Sequence, residues 1–222
     1  MIADVDVSGV AALLGDPARA RIAQALHDGR ALPAGELARR AGISPSTASE
    51  HLSRLVEGRL LAVERTGRHR YFRLANAEVA HAIEALAAIA PPAPVRSLRE
   101  ASIGDALAEA RTCYDHLAGK LGVQITDALL QRNALIAVAD GFEPGPQLEA
   151  SLAALGVRSL PTRRPLALRC IDWSERRPHV AGALGAAICT RALEARWVER
   201  LPASRAVRVT SAGRRAFASL NA

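Results

Sequence analysis

The chain has 222 residues, enough for one large domain or two small ones, and a formal charge of +7 carried almost wholly by arginine, with Lys120 its single lysine. Half the residues are hydrophobic but only 3% are aromatic, which favours packed helices over a large β-sandwich and excludes a single-strand binder that stacks bases on many rings. The arginine excess points to acidic partners, because the guanidinium fork matches phosphate and guanine.

The opening MIADVDVSGVAALL has two aspartates and no basic region, so it is a poor signal peptide. No stretch is long and apolar enough to span a bilayer. Three cysteines without an export signal suggest reduced thiols. The expectation is a cytoplasmic protein with no membrane partner.

Residues 8–14 read as a short apolar helix. Asp16-Pro17 supplies an N-cap and a proline at the first helical position, and ARARIAQALHDG continues to Gly29. Pro33 to Ala41 forms the next helix, ended by Gly42. Ser44 and Pro45 then open a third, in which Ala48, Leu52, Leu55 and Val56 recur as a core stripe. At 100° per residue, Ser46, Glu50, Ser53 and Arg54 point away from that stripe, and Thr47, Ser49 and His51 lie on its margins.

After Gly58 the period changes. Runs 60–65 and 69–74 flank Thr66-Gly67-Arg68, a hairpin with a glycine turn, and an amphipathic helix follows at about 77–89. Helix, helix, tight turn, helix, hairpin, helix is the order of a winged helix-turn-helix. Short hydroxyls at the start of the third helix allow close approach to phosphates and base edges. Residues 54–73 hold six Arg against Glu57 and Glu64, so positive charge is concentrated where helix and wing meet a duplex. The candidate DNA-binding residues are therefore Ser46, Thr47, Ser49, Glu50, His51, Arg54, Arg65, Arg68, His69 and Arg70. His51 sits beside the apolar stripe and could equally pack.

LLGDPARARIAQAL, then ELARRAGISPSTASEHLSRLVEGRLLAVERTGRHRYFRL, resembles the ArsR/SmtB group of winged-helix repressors. The Asp-Pro-x-Arg entry, the Glu-Leu-Ala, the Ser-x-x-x-Ser-x-His-Leu helix and the Gly-Arg wing tip ending in Tyr71-Phe72-Arg73-Leu74 stand in order over residues 8 to 90. The resemblance implies a homodimer joined through the first helix and the helix at 77–89, on near-palindromic double-stranded operator DNA, with repression relieved by an inducer. Metalloid sensors of the group carry cysteines after the Glu-Leu, and zinc sensors carry several His and acids on the last helix. Here Glu36-Leu37-Ala38-Arg39-Arg40 has no thiol, and the last helix offers only Glu78, His81 and Glu84.

PPAPVRS, residues 91–97, is a proline-rich break. It divides a DNA-binding and dimerisation domain at 1–90 from an effector and dimerisation domain at 98–222. The expected fold class is mainly α with small β-hairpins: a winged helix-turn-helix, then a second, mostly helical domain with a degenerate winged-helix end. There Arg196-Trp197-Val198 corresponds to Arg59-Leu60-Leu61, and Val207-Arg208-Val209-Thr210 to Phe72-Arg73-Leu74-Ala75.

All three cysteines lie in this second part. Residues 101–130 read as one long helical pattern that places Cys113 and His116 on a shared face. Cys170, Asp172 and His179 form a second cluster. Thiolate and imidazole together suit a thiophilic metal ion, and thiols alone could take As(III) or be oxidised. Buried cysteines acting as small hydrophobes are the plainer alternative. An organic inducer in an apolar pocket lined by Tyr114, Arg169, Trp173 and His179 is a further possibility. Cys113 with His116, or Cys170 with His179, as nucleophile and base is the enzymatic alternative. Without an oxyanion loop or nucleophile elbow the expectation is that the chain is not an enzyme.

Overall fold

The computed structural model describes residues 5–220 except 92, 93, 96, 162 and 203. The first residues of the chain, and three positions of the proline-rich break at 91–97, lie outside the described residues. The chain divides into two compact units, Met1–Ile83 and Glu84–Ala222.

The N-terminal unit opens with α1 (Ser8–Leu14) and α2 (Pro17–Ala25). Asp16 caps α2 by accepting the Arg19 backbone N–H, ahead of Pro17. β1 (Leu32–Pro33) leads into α3 (Ala34–Ala41), so Pro33 ends the extended segment instead of starting the helix. Gly42 closes α3 in the left-handed region at φ +69, which turns the chain within two residues into α4 (Pro45–Glu57). Ile22, Leu26, Leu37, Ala41, Ala48, Leu52 and Leu55 form one buried core between α2, α3 and α4. β2 (Leu61–Thr66) and β3 (His69–Leu74) make the wing, and β1 pairs with β3 through Leu32 and Phe72. α5 (Ala77–Ile89) follows, and the division between the units falls inside it.

The C-terminal unit begins beyond Ile83 and continues with α6 (Leu98–Glu109). The long helix expected over 101–130 does not form. At Ala110 the backbone turns extended, and a hairpin intervenes: β4 (Arg111–Cys113), a two-residue turn with Tyr114 at φ +59, and β5 (His116–Ala118). Only then does α7 (Gly119–Gln131) start. Cys113 and His116 are therefore partners across a hairpin and not neighbours on a helix face. Three-residue strands are too short to show a period of two, and the Ala-rich spacing on either side hides them.

Next come β6 (Leu135–Val138), β7 (Gly141–Pro144), α8 (Leu148–Ala154), β8 (Leu168–Ile171), β9 (Pro178–Ala181), α9 (Gly182–Glu194), β10 (Val198–Arg200), β11 (Val207–Val209) and α10 (Ser211–Ala218). β6, β7, β8 and β9 form one four-stranded antiparallel sheet. Leu121, Ile125 and Leu129 of α7 and Leu184 and Ile188 of α9 pack into the same core.

One local motif recurs three times. α4, α7 and α9 each end before a non-glycine residue in the left-handed region, Arg59, Asn133 and Arg196. The next residue returns its N–H to a carbonyl five positions back: Leu60 to Leu55, Ala134 to Leu129, Trp197 to Ala192. A hairpin and a further helix then follow. Val198 thus begins its strand as Leu61 does.

Candidate nucleic-acid interface and a buried cysteine–histidine cluster

The interface is built on α4. Ser44 caps the helix by accepting the Thr47 N–H at 3.2 Å, with Pro45 at the first position. Ala48, Leu52 and Leu55 are buried, which fixes the rotation of the helix. Ser46, Thr47, Ser49, Glu50 and Arg54 are consequently exposed. The Ser44 hydroxyl also lies 2.9 Å from that of Ser46 and 2.8 Å from that of Thr47. Ser49 donates to the Pro45 carbonyl at 3.0 Å, and Arg54 pairs with Glu50 at 2.6 Å. Both can exchange these local partners for others because all are at the surface. His51 differs: it is half-buried, with Nε2 3.9 Å from Asp16 and Nδ1 buried without a hydrogen bond. Its place is between α4 and the cap of α2.

On the wing, Arg65, Arg68, His69 and Arg70 are all exposed. Arg73 pairs with Glu64 at 2.5 Å. Arg70 lies over the Phe72 ring at 5.9 Å. Among the described residues no ion pair engages Arg65, Arg68 or Arg70, so three guanidinium groups are available to an anionic partner.

The C-terminal unit brings Cys113, His116, Cys170 and His179 together. One ligand atom from each lies within 4.8 Å of every other, and all four residues are buried, at 0%, 1%, 5% and 0% exposure. The Cys113 and Cys170 sulfurs are 3.9 Å apart and the His116 and His179 Nε2 atoms 3.1 Å apart. Each ring turns its other nitrogen to a carboxylate: His116 Nδ1 is 3.3 Å from Asp115, and His179 Nδ1 is 3.5 Å from Asp172. Asp115 is held in turn by Arg164. Asp172 accepts from Arg111 at 2.9 Å, from the Gly119 N–H at 2.6 Å and from the Ser174 hydroxyl at 2.6 Å. Arg111 also reaches Glu84 at 3.0 Å and stacks 4.6 Å from the Trp173 ring.

Burial pushes the Cys113 thiol up to about 12, and the adjoining Cys170 adds to the rise. Burial likewise raises Cys189 to about 12. Neither is a ready nucleophile. For His116, burial pulls the pKa down, but Cys113 and Asp115 overrule it and raise the ring to about 9. Burial and the neighbouring His116 lower His179 to about 3. Burial alone would raise Asp172, but Arg111, Ser174 and two backbone N–H groups hold it well below the usual carboxylate range.

Asp172, expected in the second cluster, is joined here by Asp115, Arg111, Gly122 and Gly185, which the spacing of the cysteines and histidines does not point to. The signal was an internal repeat. Cys113-Tyr114-Asp115 followed by His116-Leu117-Ala118-Gly119-Lys120-Leu121-Gly122 matches Cys170-Ile171-Asp172 followed, after a short insertion, by His179-Val180-Ala181-Gly182-Ala183-Leu184-Gly185. Cys113 opposes His116 across one hairpin as Cys170 opposes His179 across the other. Gly119 and Gly182 both start their helices at positive φ, +75 and +77. The second glycines let each helix approach the other repeat's histidine. A Cβ on Gly122 would stand 3.5 Å from the His179 Cβ, and one on Gly185 would stand 3.0 Å from the His116 Cβ.

The residues suggested for an organic-ligand pocket are not gathered in this way. A cleft of about 890 Å³ lies in the same unit, lined by Leu121, Ile125, Val207 and Phe217 with Glu109 and Arg214, and Tyr114, Arg169 and Trp173 do not line it. Arg169 is exposed, and Trp173 is occupied by Arg111.

Comparison with known proteins gives three findings. Residues 14–64 match the helix-turn-helix domain family. The HTH-type transcriptional regulator YdfF of Bacillus subtilis (strain 168) is 46% identical over 215 residues, 96% of this chain and 95% of that protein. Among solved structures, the cadmium metal-sensor CMTR from Mycobacterium tuberculosis is 31% identical, covering 41% of this chain and 99% of that one at a TM-score of 0.33. The transcriptional repressor BigR from Xylella fastidiosa is 28% identical, covering 39% of this chain and 88% of that one at a TM-score of 0.36. No helix among the described residues is long and apolar enough to cross a membrane.

Proposed function

Since the chain belongs to the ArsR/SmtB family of winged helix-turn-helix transcriptional regulators, we propose that it is a dimeric repressor whose α4 reads a near-palindromic operator. In this reading the wing arginines hold the flanking phosphates, and an effector taken up by the C-terminal unit relieves repression. The carrying observation is the split of α4 into a buried Ala48-Leu52-Leu55 stripe and an exposed Ser46-Thr47-Glu50-Arg54 face, beside three wing arginines that make no ion pair among the described residues. Phosphate contacts supply affinity, and base-edge contacts supply selectivity.

The dimer has its own support. α1 reads Ser-Gly-Val-Ala-Ala-Leu-Leu and has no buried residue. An apolar helix left uncovered in one chain gains by packing on a second copy. The experiment is light scattering on the full chain, followed by titration with an operator-bearing duplex over a range of salt. The reading requires a dimer mass and an affinity that falls linearly in log–log form with salt. A monomer that binds operator and scrambled duplex alike overturns it.

A further inference from the structure

We propose that Cys113, His116, Cys170 and His179 are the four ligands of one tetrahedral site for a thiophilic divalent cation of the zinc class, each half of the internal repeat supplying one thiolate and one imidazole.

Two edges of the cluster, sulfur to sulfur and nitrogen to nitrogen, have the proportions of such a site. With metal–sulfur bonds of about 2.3 Å and metal–nitrogen bonds of about 2.0–2.1 Å, tetrahedral edges are about 3.8 Å between sulfurs and about 3.3 Å between nitrogens. The corresponding separations are 3.9 Å and 3.1 Å. Two sulfurs and two nitrogens at tetrahedral spacing favour zinc-like ions over magnesium or calcium, which demand oxygen, and over Cu(II), which prefers a square plane.

The surroundings supply a second argument. Both Nδ1 atoms face carboxylates, His116 through a hydrogen bond at 3.3 Å and His179 at 3.5 Å without one, which leaves both Nε2 atoms turned to the cluster. The two Nε2 atoms, 3.1 Å apart, need a proton or a metal cation between them, and two sulfurs 3.9 Å apart beside them suit the metal. Carboxylate-to-histidine pairing of this kind orients metal-bound imidazoles. Asp115 and Asp172 occupy the same position in their repeats, each two residues after its cysteine, so the outer contacts are duplicated along with the ligands.

Charge closes the argument. Binding releases the two thiol protons and the proton held between the two imidazoles to solvent, and a dication between two thiolates and two neutral imidazoles has no net charge. That suits a site at most 5% exposed in any ligand residue. No oxidation state changes. Cys189, the third cysteine, lies among the hydrophobic core residues and outside the cluster.

The test uses the full-length protein, stripped with a chelator under reducing, anaerobic conditions and titrated with Co²⁺. One equivalent should produce the strong visible bands of four-coordinate cobalt and thiolate-to-cobalt charge transfer in the near ultraviolet, and one equivalent of Zn²⁺ should abolish both. Cys113→Ser should lower the charge transfer by about half and weaken Co²⁺ binding at least tenfold. His179→Gln should weaken binding while keeping the charge transfer, and Cys189→Ala should change neither. Because a variant could fail to fold, X-ray absorption of the zinc-loaded unmodified protein gives an independent reading: two sulfurs and two nitrogens. The weak spectrum of six-coordinate cobalt, a zinc shell without sulfur, or unaltered binding in Cys113→Ser overturns the proposal, leaving a proton shared by the two imidazoles. None of these readouts involves DNA, so the site and the operator reading stand or fall separately.

Discussion

Arg65 and Arg70 are register partners on the two strands of the wing, directly opposite each other, and both side chains are exposed. Like charges facing across an antiparallel pair destabilise it. The pair makes sense where a polyanion lies along that face and cancels the repulsion. Arg65→Thr should therefore weaken binding to every duplex, and the log–log salt slope should become shallower by about 0.9 for one lost phosphate contact. The melting temperature of the free protein should hold or rise. Calorimetry and fluorescence anisotropy at four salt concentrations check both halves. A fall in melting temperature with an unchanged slope would assign Arg65 a structural role.

Asp16 couples helix capping to acid. Its carboxylate accepts the Arg19 N–H at 2.9 Å, and this bond, with Arg19 and His51 nearby, lowers its pKa despite some opposing desolvation. A depressed folded-state pKa contributes stability above the ordinary aspartate value of about 3.9, and that stability is lost as pH falls toward the folded value. Asp16→Asn keeps a capping oxygen but has no titration. The variant should melt less pH-dependently than the parent between about pH 5 and pH 2, as followed by circular dichroism. Parallel profiles for the two proteins would remove Asp16 from the acid response.

Gly185 has no room for a side chain. An added Cβ would stand 2.5 Å from the Val180 carbonyl oxygen and 3.0 Å from the His116 Cβ, so backbone must move. Gly185→Ala should cost about 1–3 kcal/mol by denaturant unfolding. Gly104 on α6 is the control, since an added Cβ meets nothing within 4 Å. Gly104→Ala should stabilise by about 0.5–1 kcal/mol, as in an open helix interior. Equal effects at the two glycines would contradict the close packing of α9 on the β4–β5 hairpin.

The N-terminal unit was legible because its punctuation is chemical. Asp16-Pro17, Gly42, Ser44-Pro45 and the Gly67 turn each mark a boundary that backbone geometry demands, and the stripe through Ala48, Leu52 and Leu55 set the exposed face of α4. In the C-terminal unit the same method misread β4 and β5. Their strands have three residues each, and the left-handed turn residue is Tyr114 and not a glycine. Cys113 with His116 and Cys170 with His179 could be paired from spacing alone, but not joined into one cluster. That step needed the repeat of His-x-Ala-Gly-x-Leu-Gly, which aligns the unit with itself instead of with the wing.

The central claim is that the serine-bearing face of α4 selects sequence while the wing supplies affinity. It is tested most directly by measuring Kd for operator and scrambled duplexes with the unmodified chain, Ser46→Ala and Arg68→Ala at one salt concentration. The account predicts that Ser46→Ala weakens operator binding by about 1–3 kcal/mol and leaves the scrambled duplex alone. Arg68→Ala should weaken both equally. If Ser46→Ala lowers the two affinities together, or Arg68→Ala changes their ratio, the assignment of reading and holding to these surfaces is contradicted.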